Sequence, residues 1–142
     1  MMTDFVKSNF NKDVSTEDFK RSVEKHMTPQ MDLDKNSRMD WFFDQWVYGS
    51  DLPAYRLDYR IGSADGKATL TMSVTQSGVS ENFRMLVPFY ADFGKGWTRL
   101  GAVKLAGNST VEIPNIPLPQ APKRVTLCAL NDVLYTSFEG KK

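Results

Sequence analysis

The chain has 142 residues, 41% hydrophobic and 25% charged, with eighteen basic side chains against seventeen acidic ones. That is ordinary globular material, enough for a core at this size and short enough for one domain or a domain with a helical appendage. A net charge of +1 gives no electrostatic reason to expect nucleic acid or an anionic membrane as partner. No apolar run approaches the ~20 residues a membrane-spanning helix needs, and Met1-Met2-Thr3-Asp4 lacks the basic, apolar, small-residue order of a signal peptide. The single cysteine, Cys128, excludes an internal disulfide and leaves the compartment open.

In chain order, Met2, Phe5, Val6 and Phe10 make a one-sided stripe interrupted by Asn9 and Asn11, which reads like the tail of a helix whose beginning has been removed. A second helix follows. Ser15 is its N-cap, Asp18 sits at the third helical position, Glu17 and Arg21 are spaced as an i,i+4 pair, and Phe19, Val23 and Met27 line up four apart before Pro29 stops the helix. Met31 and Leu33 are expected to pin the next loop inward. The third helix is the strongest signal in the chain. Met39, Phe42, Phe43, Trp46 and Val47 form a full amphipathic stripe, with Ser37 as N-cap, Gly49 in the left-handed position after its end and Pro53 as a second stop. Trp41 and Tyr48, with Gln45 between them, lie on a neighbouring face that a helix covering one surface would not need to make aromatic.

From Tyr55 the period drops to two. Tyr55, Leu57, Tyr59 and Ile61 alternate with Arg56, Asp58 and Arg60, a half-exposed strand. Asp65-Gly66 predicts a tight hairpin, and Ala68, Leu70, Met72 and Val74 a second half-buried strand. Phe83 to Phe93 is almost continuously apolar, as in a central strand covered on both faces, with Pro88 marking a bulge or edge segment. Gly94-Lys95-Gly96 turns the chain into Trp97–Leu105, and Gly107-Asn108 into Ser109–Ile113. Four prolines from Pro114 to Pro122 predict an extended crossover. Val125 to Leu130 and Val133 to Ser137 complete seven short strands, the count of an immunoglobulin-like or fibronectin-type sandwich without its disulfide.

Trp41-Phe42-Phe43-Asp44-Gln45-Trp46, a Gly/Pro link, and Pro53-x-Tyr55-x-Leu57-x-Tyr59 resemble the end of the helical part of aminopeptidase N-like zinc metallopeptidases, the gluzincins. In that family a W-F-x-x-W helix runs through a G-x-P link into a β-sandwich. The stretch from Ser15 to His26 resembles the preceding helix. The resemblance is to the C-terminal portion of the family alone. It implies a zinc enzyme that removes N-terminal residues from peptides, with this portion buttressing a catalytic domain.

The family binds zinc through H-E-x-x-H and a downstream glutamate, because two histidines one helical turn apart share a face with the catalytic base. That motif cannot be written with one histidine, His26, and the family's Gly-x-Met-Glu-Asn substrate loop is missing too. No zinc ligand or catalytic residue is carried over, so zinc belongs to the parent enzyme and this chain by itself is expected not to be an enzyme. His26 ends a helix beside Lys25, where a cation suits the helix dipole. Cys128 reads as a small hydrophobe in an alternating strand. Asp40 and Asp44, one turn apart, would need a cleft that raises one carboxyl pKa before they could act as acid and base. Tyr90, Phe93 and Trp97 could stack on a sugar, but core packing or a sheet face covered by the helices is the commoner explanation for such rings.

The expected architecture is therefore α+β. A helical segment, 1–53, of two or three helices precedes a seven-stranded antiparallel sandwich, 54–142. Trp41, Gln45, Tyr48 and Tyr55 are the candidate interface, either with the parent's catalytic domain or with a second copy of the chain. The alternative is a free-standing sandwich that binds carbohydrate or protein.

Overall fold

A computed structural model of the protein describes residues 1–141. The chain divides into two compact units, Met1–Ser50 and the segment from Asp51 onward. Together they hold three short helices followed by seven strands, an α+β arrangement.

The helical unit is built from α1 (Met2–Ser8), α2 (Thr16–Lys25) and α3 (Asp40–Trp46). α2 starts at its predicted cap. The Ser15 hydroxyl accepts from the Asp18 amide, and the Asp18 carboxylate accepts from the Ser15 amide at 2.8 Å, closing a capping box. The expected Glu17–Arg21 pair is not formed. Arg21 pairs with Asp18 instead, and Glu17 accepts the Tyr48 hydroxyl at 2.8 Å.

Both ends of α3 depart from expectation. Ser37 is not its cap: with φ at 59° it donates its amide to the Asp32 carboxylate, as Asn36 does, so a loop-organising aspartate outcompetes helix initiation there. The helix begins after Met39, without a side-chain cap. At the other end Gly49 does not adopt a left-handed conformation. A Cβ there would lie 2.7 Å from the Asp44 carbonyl oxygen and 2.8 Å from that of Gln45, so close approach to the last helical turn demands the glycine. The apolar stripe is also narrower than its sequence suggests. Met39 and Phe43 are buried, while Phe42 and Val47 remain more than a third exposed, because a seven-residue helix that stops at Trp46 has barely two turns to present to its neighbours. Phe19 meets Phe43 edge-on at 6.2 Å.

The sheet unit comprises β1 (Ala54–Ala64), β2 (Lys67–Ser77), β3 (Arg84–Asp92), β4 (Trp97–Ala106), β5 (Ser109–Pro117), β6 (Arg124–Leu127) and β7 (Ser137–Lys141). One sheet runs β5-β2-β1-β7 and the other β4-β3-β6. The β1–β2 hairpin forms as predicted: Asp65 and Gly66 both take positive φ, as a two-residue type I′ turn requires. Leu57, Leu70, Met72, Val74, Val87 and Leu105 are all at most 1% exposed and form the core, supplied by both sheets.

β3 is central, as its continuous apolar run implied, and Val87 to Asp92 are buried without alternation. Pro88 is tolerated because its carbonyl faces Cys128, one residue beyond the end of β6, so no ladder donor is lost on that side.

Three strand expectations are corrected. β5 continues through Pro114 to Pro117, which an edge strand allows. There the ladder shifts register, and Asn115, at positive φ, gives its amide to the Thr71 hydroxyl. β6 stops at Leu127, where Cys128 turns the chain with φ at 50°, so Cys128 is not a strand residue. The last strand starts at Ser137 rather than Val133, and it runs parallel to β1, so the unit is not uniformly antiparallel. The Thr136 amide and hydroxyl both donate to the Pro53 carbonyl, 2.8 and 3.2 Å away, and set β7 off in the direction of β1.

No helix among the described residues is long and apolar enough to cross a membrane. α1 contributes no buried residue. It is held by Phe5 edge-on to Phe19 at 5.2 Å and by Asp4 against His26 at 3.0 Å. Amides of Met2–Ser8 should therefore exchange with solvent through local opening, orders of magnitude faster than those of Leu70–Val74, which report global unfolding. Equal protection in the two segments would show that α1 is an integral part of its unit.

Candidate functional site

α3 fixes three of the four candidate interface residues. Trp41 and Gln45 stand one turn apart on the side of the helix opposite Phe43, and Tyr48 follows just past the end with its amide on the Phe43 carbonyl at 3.0 Å. Trp41 is half-buried. Its indole N–H donates to the Met31 carbonyl at 3.0 Å, and its ring meets Phe42 edge-on at 5.7 Å. Gln45 is half-buried as well. Tyr48 is 58% exposed, and its hydroxyl donates to Glu17, a bond that raises the phenol pKa above its ordinary value.

The fourth, Tyr55, lies on β1 in the sheet unit and is 2% exposed. Its hydroxyl donates to Gln76 Oε1 at 3.2 Å, and burial pushes its pKa up. Tyr55 is a core residue with no face to offer a partner.

Two groups were not picked out from the sequence. Gln76 is fully buried, and its amide nitrogen donates to the Gly107 carbonyl at 2.8 Å, so both ends of the side chain are used. The available signal was its place as the next inward position after Leu70, Met72 and Val74. Lys20 is the other. Its ammonium is ion-paired with Asp40 and sits 5.8 Å from the Phe43 ring centre, while Glu24 accepts the Met39 amide at 3.0 Å. These contacts stitch α2 to the start of α3.

The Lys20 hydrogen bond, with a second from Arg38, holds Asp40 below the usual carboxylate range, the reverse of what a general acid requires. Asp44 is exposed. His26 caps the end of α2 with its ring on Asp4. Cys128 is buried, and desolvation pushes its thiol up to about 11. Among the described residues no three of His, Cys, Asp and Glu come together as a metal site would need.

The three rings suggested as a sugar platform are separated by their surroundings. Tyr90 is buried with its hydroxyl on Asp132 at 2.9 Å, and the Arg124 guanidinium covers Trp97 at 4.9 Å. Arg124 is itself held by Asp92 at 2.9 Å.

Compared with known protein families and with curated proteins, the chain matches none of them.

Proposed function

We propose that the chain is the non-catalytic C-terminal structural portion of an aminopeptidase N-like zinc metallopeptidase, and that it buttresses a catalytic domain it does not itself contain. The observation that carries this reading is the order of parts between Trp41 and Tyr59. An aromatic helix containing Trp41, Phe42 and Trp46 passes through Gly49 and Pro53 directly into a strand with Tyr55, Leu57 and Tyr59 facing inward.

In the finer form of this reading, the two sheets are the halves of an immunoglobulin/fibronectin-like sandwich. The interleaved order supports it: β2 lies between β1 and β5, and β3 between β4 and β6, as a Greek key places them. Trp41 and Tyr48 then belong to the surface that meets the catalytic domain or a second copy, while Tyr55 serves the core.

The purified chain should release no aminoacyl fluorophore above a heat-killed control and should bind no stoichiometric zinc. With His26 as its one histidine, the sequence cannot supply the two histidines of the family's H-E-x-x-H. Chelator-sensitive release above the control would overturn the reading.

A further inference from the structure

α1 is seven residues long and has no buried side chain, so it is too short to persist on its own. Two side-chain contacts fasten it to α2: Phe5 edge-on to Phe19 at 5.2 Å, and Asp4 Oδ2 against His26 Nε2 at 3.0 Å. The partners on α2 are firmly placed. Phe19 also meets Phe43 at 6.2 Å, and His26 ends the helix with its amide on the Val23 carbonyl at 3.0 Å. The ring contact is indifferent to pH, and the polar one is not.

Asp4 is held below the usual carboxylate range, first by its hydrogen bond to His26 and further by the charges of His26, Lys25 and the amino terminus. A lowered value means that ionised Asp4 favours the docked helix. That contribution is complete above the ordinary carboxylate range and is lost as pH falls through the value Asp4 has in the folded chain. On the alkaline side, histidine side chains ordinarily give up their charge between about pH 5 and 8, and a neutral imidazole offers a carboxylate only the weaker, uncharged bond. The other ionisable groups of the two helices and their link are engaged elsewhere or face solvent. Glu17 accepts from Tyr48, Asp18 bonds Ser15 and Arg21, Lys20 bonds Asp40, and Glu24 accepts the Met39 amide. Lys12 bonds the Ser8 carbonyl, while Lys7 and Asp13 are exposed.

We propose that Asp4 and His26 form a pH-sensitive latch, which keeps α1 docked on α2 while both partners are charged and releases it when either is neutral. Release leaves Phe19 without Phe5 over its ring, so the latch controls access to the aromatic row that runs from Phe19 to Phe43. This inference goes beyond the family placement and stands whether or not that placement holds.

The test follows the Phe5–Phe19 ring contact by NMR in the full chain from about pH 4 to 9, a span that covers the carboxylate and histidine ranges. Signals of Leu70 and Val74 serve as the reference for intact folding of the sheet unit. The ratio of undocked to docked α1 should be smallest between the two ranges. It should rise about two- to fivefold toward each end, as the loss of an exposed ion pair implies. His26→Gln keeps a donor of similar reach without a titrating charge, and it should flatten the alkaline limb. Asp4→Asn should flatten both limbs and leave α1 looser than in the parent at mildly acidic pH. A ratio that stays constant across the span would overturn the proposal, and so would an alkaline limb that persists in His26→Gln.

Discussion

Replacing Gln76 by leucine should destabilise the sheet unit by about 3 kcal/mol, since two buried groups each worth about 1–3 kcal/mol lose their partner. The Gly107 carbonyl loses its donor and the Tyr55 hydroxyl its acceptor, in a region where neither can reach water. Leucine fits the hydrophobic surroundings, so the cost comes from orphaned polar atoms and not from a cavity. Tyr55→Phe removes only one donor and should cost about 1 kcal/mol. With both changes made, only the Gly107 carbonyl is left unpaired, so the double variant should lose less than the sum of the singles. Urea unfolding at neutral pH measures all three. A Gln76→Leu variant within about 0.5 kcal/mol of the parent, the range of neutral surface changes, would show that the Tyr55–Gln76–Gly107 chain is not a structural link.

The second large effect is expected in association. Tyr48 is exposed beside a half-buried Trp41, and exposed apolar surface on that face is what a second copy or a catalytic domain would cover. Changing Trp41 to Glu together with Tyr48 to Gln should turn a dimer into a monomer in sedimentation, with at least a roughly tenfold loss of affinity if these rings anchor the interface. The two residues differ in what else they do. Trp41 bonds to Met31 and packs on Phe42, so its replacement also lowers the melting temperature of the helical unit. Tyr48 has a single exposed bond to Glu17, so Tyr48→Gln alone should weaken association and leave melting almost unchanged. Unfolding of the double variant with no change in oligomeric state would make both residues ordinary parts of the helical unit.

What the sequence revealed was what local physics decides. Leu70, Met72 and Val74 alternate with threonines and serine, and they fill the core in that order. Asp65-Gly66 and Gly94-x-Gly96 turn the chain because those backbones need positive φ. The errors lie where distant residues intervene. Ser37 looked like a cap until Asp32 claimed its amide, and Gly49 is needed for contact with helix carbonyls rather than for its φ. The direction of β7 depends on Thr136 reaching Pro53, a pairing that no local pattern contains. Helical spacing put Trp41, Gln45 and Tyr48 near one another, whereas Tyr55 is drawn into the core by Gln76, a buried partner on another strand.

The placement within a zinc aminopeptidase is tested most directly by sequencing the transcript that encodes this chain, upstream of Met1. The account predicts an uninterrupted reading frame that continues into H-E-x-x-H with its downstream glutamate. An in-frame stop immediately before Met1, followed by a ribosome-binding site of its own, would contradict it.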